Sequence, residues 1–375
     1  MPRPAKSPNP PPPPSTPALR KRVAKAHAAS MTTAVPKPEQ AAKSGSDAPL
    51  GRAVPPGELP PPIQIGKPGQ EALLYTGDCR EVLAALPECK ASKVDLIFAD
   101  PPFNWAVPYD RWADNLPHNE YLDFAYDWIG LCCDSLRENG SLWINIPDDW
   151  AAEIVVYLKK RGMSMVNWCI WHYRFGQNTT GRFISSKVHA LYFCKGDKPT
   201  WNPKDILELS DRATTYADKR TLNKRDGMPP GMRVPLDVWY GKNLGRVQGN
   251  NKERRARHHN QLPEAYLERV VLASSNPGDL VLDPFLGSGT TGVVAHGLKR
   301  RFIGIDFSAD NVKSSAERIA AGPTRPLGQP DTEGSAIFKR LKPLDLSSTQ
   351  PFKKRKRGSG SQAAAKDVAP LWEEK

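Results

Sequence analysis

Between residues 71 and 321, short unbroken apolar runs alternate with stretches of helical periodicity, and this alternation constrains the fold more than any other feature. ALLYT (72–76), VDLIFAD (94–100), SLWINI (141–146), LVLDPF (280–285) and RFIGIDF (301–307) have strand length and little polar interruption. MVNWCIWHY (165–173) and HALYFCK (189–195) read as two further strands. Residues 119–139 place apolar side chains at 121, 124, 125, 128, 129, 132 and 136, the rhythm of a helix, and Gly140 predicts its end. Helical patterns also cover 81–86, 148–162, 263–275, 290–299 and 308–321. Unbroken apolar strands separated by helices predict an α/β fold with a mostly parallel, doubly wound sheet. In such sheets ligands sit beyond the carboxyl ends of the strands, so those ends carry the search for function.

The net charge of +13 belongs mostly to the flanks: residues 1–70 carry +7 and 322–375 carry +5, leaving +1 for 71–321. With Pro10–Pro14 in a row at one end and KKRKR (Lys353–Arg357) at the other, the flanks cannot bury enough apolar surface to offset ordering entropy. They are expected to be disordered basic tails around one domain. That domain is polarised, with −11 over 71–158 and +13 over 159–260. The basic block interleaves Trp168, Trp171, Tyr173, Phe175, Phe183, Trp201, Trp239 and Tyr240, and cations mixed with stacking rings suit nucleic acid. Its candidate DNA contacts are Arg174, Arg182, Lys187, Arg220, Lys224, Arg225, Arg254 and Arg255. The irregular stretch 196–258 inside it reads as an insertion. No apolar run approaches 18 residues, so no membrane span is expected. Six cysteines form no CxxC pair, and His258 and His259 lack partners at ligand spacing, so neither a disulfide framework nor a metal is expected.

Three strand ends carry unusual chemistry. Strand 280–285 runs into DPFLGSGTT (Asp283–Thr291), where small residues let backbone N–H groups and a helix N-terminus approach an anionic group. No Lys follows Gly289 and the spacing is not GxGxxG, so neither the P-loop nor the dinucleotide fingerprint fits. The next strand ends at Asp306, whose carboxylate can take ribose hydroxyls. The pair favours a cofactor containing a nucleoside over a bare turn. Strand 94–100 ends in DPPF (Asp100, Pro101, Pro102, Phe103), where two prolines stiffen an acceptor-rich loop beside an aromatic ring. That combination suits an exocyclic amine on a stacked planar base.

DPPF, FLGSG and their order resemble the β group of amino DNA methyltransferases, which alkylate exocyclic amines. TGDCREVLAALP (76–87), GSLWINIPDD (140–149) and HHNQLPEAYLERVV (258–271) are similar to three more of that group's motifs, with Leu262 standing where Lys is usual and Asp306 where Glu is more common. The resemblance covers roughly 71–321 and implies a Rossmann-like methyltransferase fold in permuted motif order, with 196–258 as the target-recognition insertion. It implies S-adenosylmethionine as cofactor, cradled by Phe285, Gly287, Gly289 and Thr290 beside Asp283, with Asp306 at the ribose and Asp78 near the adenine. It further implies that Asp100 and the Pro101 carbonyl hold the target amine of a base flipped out of duplex DNA and stacked on Phe103. Asp at the head of the motif leans toward adenine N6; cytosine N4 and a catalytically inactive DNA-binding relative are the alternatives. The expected setting is the cytoplasm of a bacterium or phage host, at the nucleoid, or a nucleus if the source is eukaryotic. Double-stranded DNA is the expected partner, with a homodimer and a cognate restriction endonuclease as possible further ones.

Overall fold

A computed structural model describes residues 59–329, apart from 108, 110–111, 174–180, 215, 223–226, 242, 256–257 and 259. Its strands are β1 (Ile63–Ile65), β2 (Ala72–Thr76), β3 (Val94–Ala99), β4 (Leu136–Ile146), β5 (Ser164–His172), β6 (Lys187–Cys194), β7 (Glu208–Leu209), β8 (Met232–Arg233), β9 (Val238–Trp239), β10 (Leu280–Asp283) and β11 (Arg301–Asp306). Its helices are α1 (Cys79–Ala85), α2 (Pro87–Lys90), α3 (His118–Ser135), α4 (Asp148–Lys160), α5 (Asp211–Thr214), α6 (Glu264–Ser274), α7 (Thr290–Gly297) and α8 (Ala309–Ala321). Nine strands form one sheet in the order β1-β2-β11-β10-β3-β4-β6-β5-β9, and β7 with β8 forms a separate hairpin.

The five central strands β2, β11, β10, β3 and β4 are parallel, while β6 is antiparallel to both β4 and β5. The sheet is therefore mixed at one side and parallel through the middle. Successive residues of β3 serve opposite layers. Ile97 and Ala99 pack with α1, α3 and α4, through Leu83, Trp128 and Ile154; Leu96 and Phe98 pack with α6, α7 and α8, through Tyr266, Val293 and Ile319. Burial on both faces is what the unbroken apolar strands require.

Three boundaries differ from the expectation. The helix expected to reach 139 stops at Ser135, and Leu136 turns extended to pair with Val94. Leu136 is fully buried there and Arg137 pairs with Asp95, so burial in the sheet wins over helical rhythm. The stretch 1–70, expected to be a tail, includes β1, which pairs antiparallel with β2. The stretch after 321 continues as fold: Thr324 bonds Glu264, Arg325 pairs with Glu268, and Leu327 packs on the core. The remaining flanks, 1–58 and 330–375, lie outside the described residues. All six cysteines are free and buried. No described helix is long and apolar enough to cross a membrane.

Candidate active site

Because the central strands are parallel, their carboxyl ends share one edge of the sheet. There β11 and β10 end at Asp306 and Asp283, and Asp100 directly follows β3, in neighbouring positions. Asp78 follows β2 and Asp148 follows β4. The edge thus carries five carboxylates from five adjacent strands.

Asp100 opens the DPPF loop. Its Oδ1 accepts a hydrogen bond of 2.6 Å from the Asn145 side-chain amide on β4, and Asn145 in turn accepts one of 3.3 Å from the Tyr266 hydroxyl on α6. Burial pushes the Asp100 carboxyl up to about 7; the Asn145 bond opposes the shift and neighbouring Asp283 adds to it. The loop beyond is tied down at its carbonyls: Tyr121 donates to Pro102 at 2.7 Å, and the Trp150 indole donates to Phe103 at 2.9 Å. Phe103 is half-buried between the two core layers, with Trp105 edge-on at 5.1 Å. Asp114 then accepts the N–H groups of Asn104, Trp105 and Val107, which closes the loop on itself.

The glycine turn is built from the other core layer. Gly287 (φ +50°) and Gly289 (φ +73°) take the left-handed conformation, and a Cβ at Gly289 would stand 2.7 Å from the Cβ of Ser315. Only glycine lets the turn approach α8 so closely. Ser315 donates to the Gly287 carbonyl at 3.0 Å. Arg318 donates to the Ser288 carbonyl at 2.9 Å and the Thr290 hydroxyl at 2.8 Å, and pairs at 3.2 Å with Glu264, both side chains almost fully buried. Asp306 accepts the Gly287 N–H at one oxygen and the Ser308 N–H at the other, each at 2.9 Å. Its carboxylate therefore organises the turn, whatever it also offers a ribose. Asp283 accepts the Phe285 N–H at 2.9 Å, and burial pushes its carboxyl up to about 7, with Asp306 adding to the shift.

Asp78 caps α1 through the Arg80 N–H at 2.9 Å and takes the Arg80 guanidinium at both oxygens. Burial alone would raise its pKa, but Arg80 outweighs that and holds it below the usual carboxylate range. Arg80 also lies over the Phe124 ring at 5.3 Å, and Phe124 meets Phe285 of the glycine turn at 6.3 Å. Buried Asp283 and half-buried Asp100, both raised, beside N–H-rich glycines can receive a ligand that is cationic at one place and anionic at another. S-adenosylmethionine, with its sulfonium, ammonium and carboxylate, matches that donor set.

Of the residues expected from the sequence, the fold brings Asp100, Asp283 and Asp306 to one edge; Asn145, Tyr266 and Arg318, which bond to Asp100, to Asn145 and to the glycine turn, were not among those expected. Asn145 alone had a visible signal, as the one amide inside SLWINI. The candidate DNA contacts divide. Lys187 pairs with Asp148 beyond β4, which His189 also contacts, and Arg220 pairs with Asp218 at 2.9 Å. Arg182 and Arg254 are exposed, and Arg255 is half-buried beside Gln261. Arg174, Lys224 and Arg225 lie outside the described residues. Asp148 and Asp149 occupy the first turn of α4, without a capping bond. The insertion is anchored to α6, with Glu208 bonding Arg269 at 2.9 Å and Asn202 bonding the carbonyls of Leu272 and Ser275.

Residues 94–317 match the family model for N6/N4 DNA methylases, described as DNA methylase. The chain is 33% identical over 242 residues to the Type II methyltransferase M.HpaI of Haemophilus parainfluenzae, covering 64% of this chain and 73% of that one. It is 36% identical over 238 residues to the Type II methyltransferase M1.MboII of Moraxella bovis, with 61% and 90% covered. It is 33% identical over 244 residues to the DNA adenine methyltransferase YhdJ of Escherichia coli, with 64% and 80% covered. Among solved structures, the cytosine-N4-specific PvuII DNA methyltransferase superposes with a TM-score of 0.51 at 18% identity, over 72% of this chain and 92% of that one, which shows a shared fold. With the matched span running from β3 through most of α8 and enclosing both strand-end loops, the chain belongs to the N6/N4 DNA methylase family.

Proposed function

We propose that the protein transfers a methyl group from S-adenosylmethionine to adenine N6 in duplex DNA, without a covalent enzyme intermediate. The observation that carries the reading is the juxtaposition of Asp100, locked by Asn145 at one oxygen, with the glycine turn one strand away. When bound, the cofactor supplies an electrophilic methyl on a sulfonium. Phe285, Gly287, Gly289 and Thr290 would line its methionine part with Asp283 facing its cationic groups, Asp306 its ribose, and Asp78 its adenine. The second oxygen of Asp100 and the Pro101 carbonyl accept from the target amine. This draws the nitrogen lone pair out of ring conjugation and fixes its direction. The same carboxylate, raised to about 7, is suited to take the proton that the methylated amine must lose. Phe103 supports the base face once the nucleotide leaves the duplex, which costs about a few kcal/mol.

Adenine is favoured by Asp at the head of the motif and by the relative named as a DNA adenine methyltransferase. Insertion 196–258 is the target reader, and Arg182 and Arg254 are phosphate contacts. Kinship with Type II methyltransferases makes a cognate restriction endonuclease the expected functional partner, in a bacterial cytoplasm where DNA is accessible. A homodimer is tested by sedimentation of the purified chain. The decisive experiment incubates the protein with labelled cofactor and duplex DNA, then identifies the methylated nucleoside, with Asp100→Ala as control. N6-methyladenine is expected; N4-methylcytosine alone overturns the adenine assignment.

A further inference from the structure

Tyr266 is fully buried, yet it carries a hydroxyl where a phenyl ring would fill the same space. Phe98, Trp171 and Trp239 surround its ring edge-on, at 5.9, 5.4 and 5.2 Å. Phenyl and indole rings carry no lone-pair acceptor for the hydroxyl. A buried hydroxyl without a partner is costly, and among the described residues the bond that Tyr266 donates goes to Asn145 Oδ1, at 3.3 Å. Pleating explains why the two meet. Along β3, Leu96 and Phe98 face the layer of α6, and Asp100 continues that alternation. Along β4, Trp143 faces the same layer while Ile144 and Ile146 face the other, which puts Asn145 beneath Tyr266. Ala99 lies opposite Ile144 in the parallel register, so Asp100 and Asn145 are level at the edge of the sheet.

An asparagine amide presents a donor and an acceptor of nearly one shape, so half a turn about its last bond needs no extra room. In the observed orientation its NH2 donates to Asp100 Oδ1 at 2.6 Å and its oxygen accepts from Tyr266. The reversed amide would set its oxygen against the carboxylate, a repulsion that only a protonated Asp100 could turn into a bond. It would also leave the Tyr266 proton without an acceptor in an apolar layer. We infer that the Tyr266 hydroxyl is a positioning group for methyl transfer, holding the Asn145 amide so that Asp100 keeps one oxygen bonded and presents the other to the target amine. The inference rests on the methyl-transfer reading above. Burial, with Asp100 and Cys169 adding, pushes the Tyr266 hydroxyl well above its ordinary range, so it remains a donor. Asp283 from β10, Tyr121 from α3 and Tyr109 also face Asp100. Burial raises both tyrosines and keeps them neutral, while Asp283, itself raised to about 7, is common to every protein compared below.

The test compares wild type, Tyr266→Phe, Asn145→Ala and the double variant. Tyr192→Phe is the control, since it removes another buried hydroxyl, one bonded to Ser141 and the Thr200 carbonyl. Two readouts are followed from about pH 6 to about pH 9. One is kcat/KM for transfer to duplex DNA; the other is the Asp100 titration in the DNA-free protein, by NMR of isotope-labelled aspartate, assigned by its absence from Asp100→Asn. Tyr266→Phe is expected to move both titrations upward and to lower kcat/KM about threefold to tenfold at about pH 7, the scale of one buried hydrogen bond. At about pH 9, where the ionised carboxylate itself orients the amide, the loss should shrink to about twofold or less by the same relation. The double variant should match Asn145→Ala, because the hydroxyl acts through the amide, and Tyr192→Phe should leave both titrations in place. An Asp100 titration unmoved in Tyr266→Phe overturns the inference, as does a further loss when Tyr266→Phe is added to Asn145→Ala. A loss of equal size at both ends of the pH range overturns it too, since a hydroxyl that merely supports the fold would act that way. Wild-type protein that transfers no methyl counts against the methyl-transfer reading, and the DNA-free titration still decides whether Tyr266 sets the state of Asp100.

Discussion

Asp100 must be ionised to accept from an amine, yet it sits where ionisation is disfavoured. Its carboxyl is pushed up to about 7 by burial, and Asp283, also raised to about 7, faces it from the next strand. An acid raised in the fold binds protons more tightly there than in the unfolded chain, so its cost to stability is absent at low pH and full above the folded pKa. Asp100→Asn removes that cost while leaving an acceptor for Asn145. The variant is therefore expected to be more stable than wild type by about 1–3 kcal/mol at pH 8, with the difference shrinking toward pH 4. Paired urea titrations at the two pH values measure it, and a variant less stable at pH 8 would contradict the electrostatic account. Activity should fall about a thousandfold or more in the same variant, as for loss of a central electrostatic group. In the wild type the ionised form is required, so kcat/KM is expected to fall as pH drops through about 7. Asn145→Ala deletes the bond that opposes the shift, which should move this acid limb upward. Tyr121, Tyr109, Tyr266 and Asp283 also face the carboxyl, and a limb displaced by their loss rather than Asn145's would reassign its origin.

At the scale of elements, the glycine turn shows how the cofactor loop depends on a helix far along the chain. A Cβ at Gly289 meets Ser315 of α8 at 2.7 Å, and the backbone there is left-handed. Gly289→Ala should cost about 2–4 kcal/mol, combining strain and overlap. Adding Ser315→Gly removes the two closest contacts but leaves the Cα at 3.2 Å and the backbone strain, so a double-mutant cycle by urea denaturation should show coupling of about 1 kcal/mol or more. Additive losses would show that the turn moves as a whole instead. The same dependence explains what the chain made legible. Asp100, Asp283 and Asp306 could be found because each follows an unbroken apolar run, a local pattern. Arg318 and Tyr266 could not, since each sits on a helix whose periodicity marks it as ordinary, and only the folded sheet brings Arg318 to Ser288 and Tyr266 to Asn145. The strand β1 was hidden for a similar reason: three residues carry no periodicity of their own and are held by β2. Likewise, nothing local distinguishes 322–329 from the basic stretch that follows, and its order comes from Glu264 and Glu268 on α6.

For the whole molecule, the question is how many of the 21 Lys and Arg residues over 159–260 are available to DNA. Many of its cations already have partners: Arg161 pairs with Asp134, Lys187 with Asp148, Arg212 and Arg220 with Asp218, and Arg233 with Glu208 and Asp211. Two of those anions, Asp134 and Asp148, come from the acidic block, so the opposed charges read from the sequence partly neutralise one another in the fold. Each phosphate neutralised contributes a slope of about −0.9 to log Kobs against log salt. Were the whole block committed to phosphates, the slope would exceed about −10; with the pairs intact, a slope of about −4 to −6 is expected for residues 59–329 alone. The full chain adds +6 from 1–58 and +4 from 330–375, and should be steeper if those segments meet the backbone. Titrating a fluorescent duplex across 50–300 mM salt with both proteins separates these contributions. Equal slopes would assign phosphate contact to the fold alone. A slope near −10 for 59–329 would mean that the ion pairs open on DNA, exchanging Asp148 and Asp218 for phosphate. In either case kcat at saturating DNA should be the same for both proteins, because the groups proposed to hold the target amine, Asp100 and the Pro101 carbonyl with Phe103 beneath the base, lie within 59–329.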